Sequence, residues 1–335
     1  MKFLLLLALL LSTLLGDTIL KVATYNVENL FDLQKSGNEY DEYIPNSSSK
    51  WNEDTYKIKL KNITQVIKEI DADIIALEEV ESREALLDLR FELKKEGQYY
   101  EYYDIADRKS TTVKVAILSK IPFVSSQELY VTHNNSYRNI LETKFKINAK
   151  ELYIFVNHWS SKAHPESTRL ISAKALKERI EEIGVEKNII VLGDFNSDYE
   201  EYVKFERNRR LNDTYGKTGI NHILETTKQK ERAADASYIK NSLYNLWYDT
   251  DEENRYSYIF KGQKEAIDNI LISQSLLDKK NIYYIDGTIN NFTKEYLFKK
   301  KNINRWEISR AKVRQHKGKG YSDHLPVVAK FNITD

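Results

Sequence analysis

The sequence predicts one α/β (α+β) domain built as a sheet sandwich with helices packed against it. Three observations carry that expectation. Short apolar, β-branched segments recur along the chain, and several stop abruptly in acids, amides or histidines. Between them lie segments whose apolar residues recur at helical spacing. A middle group of strands alternates at a spacing that suits antiparallel pairs in stacked sheets. The 335 residues show no internal repeat and no interdomain linker, and 41% hydrophobic content suffices for a sizeable core.

Taken in order, residues 19–26 alternate and are β-branched, so they read as the first strand, ending in Asn26-Val27-Glu28-Asn29. Residues 35–54, with Gly37, Pro45 and three serines, read as a long polar loop. Tyr56, Leu60, Ile63, Ile67 and Ile70 then mark a one-faced helix. Residues 72–77 form a short apolar strand that runs into Glu78-Glu79-Val80-Glu81. A second helix is expected over roughly 82–96, then strands near 101–106, 113–118, 126–132, 138–147 and 151–157. Pro165 near the start and Gly184 at the end punctuate a further helix. Residues 188–192 are a buried strand stopping at Gly193-Asp194-Phe195-Asn196. Residues 199–245 are polar and carry no clear pattern. Residues 256–260 and 266–272 read as a strand pair, 292–320 as an exposed Lys-rich excursion around Lys299-Lys300-Lys301, and Val327–Phe331 as the closing strand.

Composition narrows the function. The 51 basic and 50 acidic residues nearly cancel, so a globally basic nucleic-acid-coating protein is excluded and any such affinity must be local. Residues 1–16, one Lys followed by a short apolar run and Gly16, fit a secretory signal peptide, with a single domain over 17–335. The run is shorter than the ~20 apolar residues a spanning helix needs. With no Cys, there is neither a disulfide framework nor a thiolate metal site, which suits a periplasmic or secreted bacterial protein.

The strand ends carry the chemistry. Asn26, Glu28, Glu79, Asn157-His158, Asp194, Asn196 and Asp323-His324 all sit where apolar strands start or stop. Such groups gather at one rim of a sandwich, and their oxygens suit a hard cation such as Mg²⁺ or Mn²⁺, with Ca²⁺ a further option. A His/Asp zinc site is not excluded. Asp268, inside an apolar strand, is costly to bury unless paired. Hydrolysis of a phosphoester fits this set: a metal offsets phosphoryl charge and a carboxylate or His takes a proton from water. No Gly-rich phosphate loop and no Gly-x-Ser-x-Gly elbow is present.

Six segments in order then carry a resemblance: residues 24–30, Leu77-Glu78-Glu79-Val80, Val156-Asn157-His158-Trp159, residues 193–197, residues 267–271 and Ser322-Asp323-His324-Leu325-Pro326. The chain resembles the endonuclease/exonuclease/phosphatase superfamily, the fold of pancreatic-type deoxyribonucleases, over about 19–333. The resemblance implies a four-layered α/β sandwich with two packed mixed β-sheets flanked by helices. It implies that Asn26, Glu79 and Asp323 hold the divalent metal, with Glu28 close by. Asp194 and Asn196 would orient water and phosphate, and His324, fixed by Asp268, would contact the phosphate or act as base. His158 would lie near the leaving oxygen, and Arg138 would contact a phosphate. The family often has Gln before the metal Glu, where this chain has Glu78; strand alternation would let only one of the pair face the site, and Glu79 is the expected ligand.

Each motif alone also has a plain reading. Asn26 and Asp194-Phe195-Asn196 would serve as turns, the Glu cluster as a solvated run, and His158 as a packed histidine. His133, His164, His222 and His316 are read as surface or loop histidines. The substrate reading leans to DNA, double-stranded, with RNA as a further substrate. Residues 137–142 and 157–162 are similar to segments of exported bacterial nucleases, and Arg138, Lys162 and the Lys-rich excursion could grip a backbone. The expectation is a secreted, monomeric, Mg²⁺-dependent endodeoxyribonuclease of weak sequence selectivity. Its alternatives are a phosphodiesterase or phosphatase on sphingomyelin, inositol phosphates or other small phosphoesters, and a non-catalytic binding module.

Overall fold

The computed structural model describes residues 18–205, 210–237, 239 and 241–334, so the leader expected over residues 1–16 lies outside the described residues. Two large mixed sheets stack face to face. The first contains β1 (Thr18–Leu30), β2 (Ile74–Val80), β3 (Tyr102–Ile105), β4 (Lys114–Ser119), β13 (Ile282–Tyr284) and β17 (Val327–Ile333), in the order β13-β17-β1-β2-β4-β3, with β14 (Asn290–Asn291) also on β17. The second contains β5 (Phe123–Leu129), β6 (Ile140–Ile147), β7 (Lys150–His158), β8 (Asn188–Asp194), β9 (Leu243–Asn245) and β12 (Asp268–Ser273), in the order β5-β6-β7-β8-β12-β9.

Each large sheet contains one parallel pair, β1 with β2 and β7 with β8. Parallel neighbours need a crossover, and a helix supplies it in both cases. Helix α1 (Glu53–Ile70) joins β1 to β2, and α3 (Glu166–Ile183) joins β7 to β8. Asn52 starts α1 with a reciprocal capping box to Thr55, and Asp71 ends it in the left-handed region. Helix α2 (Arg83–Lys95) starts on the side chain of Ser82.

Strand alternation divides the core. Val22, Ile74, Ala76, Ile154, Leu192, Ile270 and Val327 point between the sheets. Tyr25, Ile75 and Leu77 point the other way, under Ile63 and Ile67 of α1 and Leu86 and Leu89 of α2. Phe155, Ile189 and Val191 face Ala173 and Leu176 of α3. The result is helix, sheet, sheet, helix.

Several expected elements differ. The strand placed at 126–132 is β5 at Phe123–Leu129, an edge strand whose bounds are set by its register with β6, from Phe123 opposite Phe145 to Leu129 opposite Ile140. The expected pair 256–260 with 266–272 does not form. Tyr258–Phe260 (β10) folds back on Gln263–Glu265 (β11) through Lys261-Gly262, both at positive φ, as a two-residue hairpin requires. Residues 268–273 instead lie between β8 and β9. The unpatterned stretch 199–245 contains a short helix α4 (Glu201–Phe205), a π-turn at Gly219–Ile223 and β9, with Asn221 fully buried and bonded to Tyr202 and Tyr199 backbone.

The 292–320 stretch is not a free excursion. Its small hairpin, β15 (Phe298–Lys299) with β16 (Asn302–Ile303), is followed by Trp306, buried against Trp51. His316, expected as a surface or loop histidine, is buried too: its Nδ1 accepts from Trp306 Nε1 at 2.8 Å and its ring packs on Tyr43 and Trp51. The aromatic residues in this Lys-rich run anchor it, which charge counting alone hides.

Candidate active site

The carboxyl ends of both parallel pairs meet at one rim. β1 brings Asn26 and Glu28, β2 brings Glu79, β7 brings His158, and β8 brings Asp194. The antiparallel neighbours enter the same rim at their starts: Asp268 is in register with Asp194, and Asp323-His324 precede β17. An open cleft of about 1320 Å³ is lined by Glu28, Glu79, Arg138, His158, Asp194, Asn196, Asp323 and His324.

Backbone irregularity turns the acids inward. The β1–β2 register shifts after Asn26 and Glu78, and Glu28, Asn29 and Glu79 all have positive φ, at 50°, 62° and 66°. Such conformations cost about 1–3 kcal/mol each and persist only where the surroundings hold them. Simple alternation therefore does not decide between the paired glutamates. The bulge places Glu79 in the cleft. Glu78 is sealed beneath it, taking the hydroxyl of Thr24 at 2.7 Å. Burial, then the Asp268 carboxylate, raises Glu78 well above the usual range.

Asn26 bridges two carboxylates. Its Nδ2 donates to Asp194 at 3.1 Å and to Glu79 at 3.2 Å, while its Oδ1 takes the Glu28 N–H. Asp194 also accepts the Asn196 N–H at 2.8 Å through Oδ1. Asn196, at φ 47°, spans from Asp194 to the Trp159 carbonyl. The preceding Gly193 has φ 133°, and a Cβ there would lie 2.0 Å from the Asn157 carbonyl oxygen. Only glycine lets β8 pass that close to β7 before the Asp-Phe-Asn turn.

The two cleft histidines are driven apart in charge. His324 Nδ1–H donates to Asp268 Oδ2 at 2.7 Å. Burial alone would lower His324, but Asp268, Asp194 and Asp323 raise it well above its ordinary value. Tyr258 lies over the ring at 4.9 Å. His158 sits across Asp194, its Nε2 3.6 Å from that carboxylate and 3.8 Å from Glu79. Burial, with Arg138 and His324, holds His158 well below its ordinary value. Two imidazoles whose proton affinities are shifted in opposite directions flank a single carboxylate, a division that suits acid and base roles.

Glu28, expected close by the metal, is held by other groups of the chain. Oε1 accepts Arg305 Nε at 2.9 Å, and Oε2 accepts the Trp306 N–H at 2.9 Å, so both oxygens are engaged. Arg305 also reaches Asp323 Oδ2 at 3.2 Å, leaving Oδ1 turned toward His324. Sequence reading missed Arg305, because a single Arg in a Lys-rich run has no local mark; its neighbour Trp306 was the available signal. Lys59 of α1, behind this group, is also buried, and burial lowers its ammonium to about 8.

The remaining oxygens suit a hard divalent cation. Glu79, Asp194 and Asp323 converge with Asn26, and burial with the adjacent Asp268 pushes Asp194 up to about 7. That is the signature of carboxylates crowded without enough positive charge. Among the described residues, ligand atoms of Asp194, Asp268 and His324 also lie within 4.8 Å of one another. Asp268 gives Oδ2 to His324 and leaves a buried Oδ1 without a hydrogen-bond partner, but it does not line the open cleft, whereas Glu79 and Asp323 do. Arg138 lines the cleft beside His158, its Nη1 3.4 Å from the Trp159 carbonyl.

Solved structures share this fold. An endonuclease/exonuclease/phosphatase family protein from Bacteroides thetaiotaomicron matches with TM-score 0.57 and 18% identity, covering 96% of this chain and 100% of that one. D. rerio TDP2, solved complexed with a single-strand DNA product, matches with TM-score 0.58 and 12% identity, over 94% and 99%. A mannosyl-6-phosphatase from B. thetaiotaomicron matches with TM-score 0.55 and 17% identity, over 93% and 99%. No curated protein sequence matches the chain. The profile described as the Endonuclease/Exonuclease/phosphatase family matches residues 21–332, nearly the whole chain, and with the rim just described it follows that the protein belongs to that family.

Proposed function

We propose that this protein is a metal-dependent phosphodiesterase that cuts DNA backbones, an endodeoxyribonuclease of weak sequence selectivity. Members of its family are phosphoester hydrolases that generally work with a divalent metal. The observation that carries the reading is the Asp268–His324 dyad facing Asp194 and His158 on the floor of an open cleft bordered by Arg138, Lys162 and Arg305. An open groove suits a polymer backbone, whereas a small phosphoester is better served by an enclosed pocket.

Glu79 and Asp323, with Asp194 and Asn26 beside them, would hold Mg²⁺ or Mn²⁺, and the ion would offset charge on the phosphoryl oxygens. Asp194, kept in place by Asn26 and Asn196, accepts a proton from the attacking water. His324, its Nδ1–H fixed by Asp268, presents Nε2–H to a phosphate oxygen. His158 lies on the opposite side, near the leaving oxygen, and Arg138 steadies the phosphate. The leader at residues 1–16 supports a proposal of export to the periplasm or exterior, and the monomer is part of the same reading. Among the described residues, no helix is long and apolar enough to cross a membrane.

Nicking of supercoiled plasmid by the chain from residue 17 onward tests the reading. Nicking should need Mg²⁺ or Mn²⁺, stop with EDTA, and be lost in His324→Ala. RNA, sphingomyelin, inositol phosphates and mannose 6-phosphate complete the panel. Release of phosphate from a monoester, with every nucleic acid left intact, would overturn it in favour of a phosphatase.

A further inference from the structure

A second concavity, of about 770 Å³, lies beside the catalytic cleft. The two share Glu28, Asn29 and Arg305 as a common wall. Five cations line it, Lys299, Arg305, Arg310, Arg314 and Lys317, against the three acids Glu28, Glu42 and Glu307. The excess is positive, in a chain whose total charge is only +1.

The wall that bears these cations is held rigidly. Trp306 and His316 are buried and hydrogen-bonded to each other. Ile308 forms a β-bridge with His316, and the Ser309 N–H donates to the Gln315 carbonyl at 2.8 Å. Gln315 Nε2 donates to the Ser48 carbonyl at 3.1 Å, and the His316 N–H to Ser49 at 2.8 Å. The turn at 309–315, which carries Arg310 and Arg314, therefore stands on buried rings.

Most of the cations are matched within the protein. Lys299 and Lys317 pair with Glu307, Arg314 pairs with Glu42 at 3.0 Å, and Arg305 pairs with Glu28 and Asp323. Two donors are left over. Arg310 is exposed and has no ion-pair partner among the described residues, and Nη1 of Arg305 has no hydrogen-bond partner among them. Both are guanidinium groups, whose planar fork matches phosphate oxygens. Arg305 opens on both cavities, so an anion on its far side would be continuous with one in the cleft.

We infer that the second cavity is a subsite for another phosphate of a polynucleotide strand whose scissile phosphate lies at Asp194 and His324. This rests on the nucleic-acid reading of the cleft. A small phosphodiester fills the cleft alone, so the subsite acts only on longer substrates.

The test uses the chain from residue 17 onward and a fluorescein-labelled single-stranded dodecathymidylate, bound in EDTA at several salt concentrations. Arg310→Ala should weaken binding about fivefold and reduce the salt slope by about 0.7, the contribution of one single-strand phosphate contact. Arg310→Glu should weaken it further. Lys94→Ala, an exposed charge at the far end of α2, should bind as the wild type does. In Mg²⁺, Arg310→Ala should lose several-fold more kcat/KM on the oligonucleotide than on bis(p-nitrophenyl) phosphate. If the wild type binds the oligonucleotide and both Arg310 variants match it in affinity and slope, the subsite is wrong while the nucleic-acid reading stands. If the wild type hydrolyses bis(p-nitrophenyl) phosphate but binds no oligonucleotide, the nucleic-acid reading fails and the subsite with it.

Discussion

Asp268 and His324 meet at 2.7 Å although 56 residues separate them in the chain. Each is placed by the register of a different sheet: Asp268 pairs with Asp194 across β12 and β8, and His324 precedes the strand that pairs with β1. Their contact therefore reports how the two sheets are stacked, and it fixes the tautomer of the histidine.

His324→Ala should lower the nicking rate by about 10²–10⁴-fold, the range for a lost acid–base group. Asp268→Asn should also reduce it, because the amide no longer supports the imidazolium. Single-turnover cleavage checks the rates, and circular dichroism checks that both variants fold. Full activity in Asp268→Asn would remove the dyad from the chemistry.

The paired glutamates should separate cleanly. Glu79→Gln removes a carboxylate from the cleft and should shift metal activation to higher Mg²⁺ concentration by tenfold or more, a range seen when metal-site groups are removed. Glu78→Gln keeps its buried bond to Thr24 and should leave the activation curve in place. Mg²⁺ titrations of both variants decide it. In parallel, Mg²⁺ should raise the melting temperature of the wild type more than that of Glu79→Gln, since a ligand that binds only the folded state stabilises it.

Gly193→Ala should be among the most damaging single changes in the fold. A Cβ would meet the Asn157 carbonyl oxygen at 2.0 Å, at a φ of 133° that other residues avoid. A loss of about 3 kcal/mol or more is expected from strain and clash together. Urea unfolding measures it. A loss below about 1 kcal/mol would mean that β7 and β8 separate easily, contrary to their register.

Stability should fall on mild acidification, and His316 should account for part of it. Burial lowers its folded-state pKa below the ordinary 6.5, with the Glu42 contacts opposing that shift. The unfolded chain then binds the proton more readily than the folded one. The contribution is complete above the unfolded value and is lost as pH falls from about 6.5 toward the lower folded value. Melting temperatures between pH 7.5 and 5 should drop less steeply in His316→Gln than in the wild type. Equal slopes would show that the Trp306–His316 bond tolerates protonation.

Much of the rim was legible because apolar strands that end in acids and amides announce themselves locally. Asn26, Glu79, His158, Asp194 and Asp323-His324 all stand where an apolar run gives way to polar residues, and the structure brings them together. The bulges at Glu28 and Glu79 were not legible, since positive φ at a glutamate is imposed by neighbouring strands and not by the residue. The Lys261-Gly262 turn was a readable hairpin signal, but the longer apolar run at 266–272 drew the pairing away from it. Arg305 and His316 depend on a loop folding back onto β1 and the 40–51 segment, contacts of high sequence separation that leave no period to detect.

The closing strand has a consequence for when the enzyme comes into being. β17 is an interior strand, hydrogen-bonded to β1 on one side and to β13 and β14 on the other, yet it follows every other strand of both sheets in the chain. The first sheet stays split until then, and Asp323 and His324 arrive with it. A nascent chain stopped before residue 323 lacks both groups and the strand that seats them, so the rim is completed only after all the other strands of the two sheets have been made.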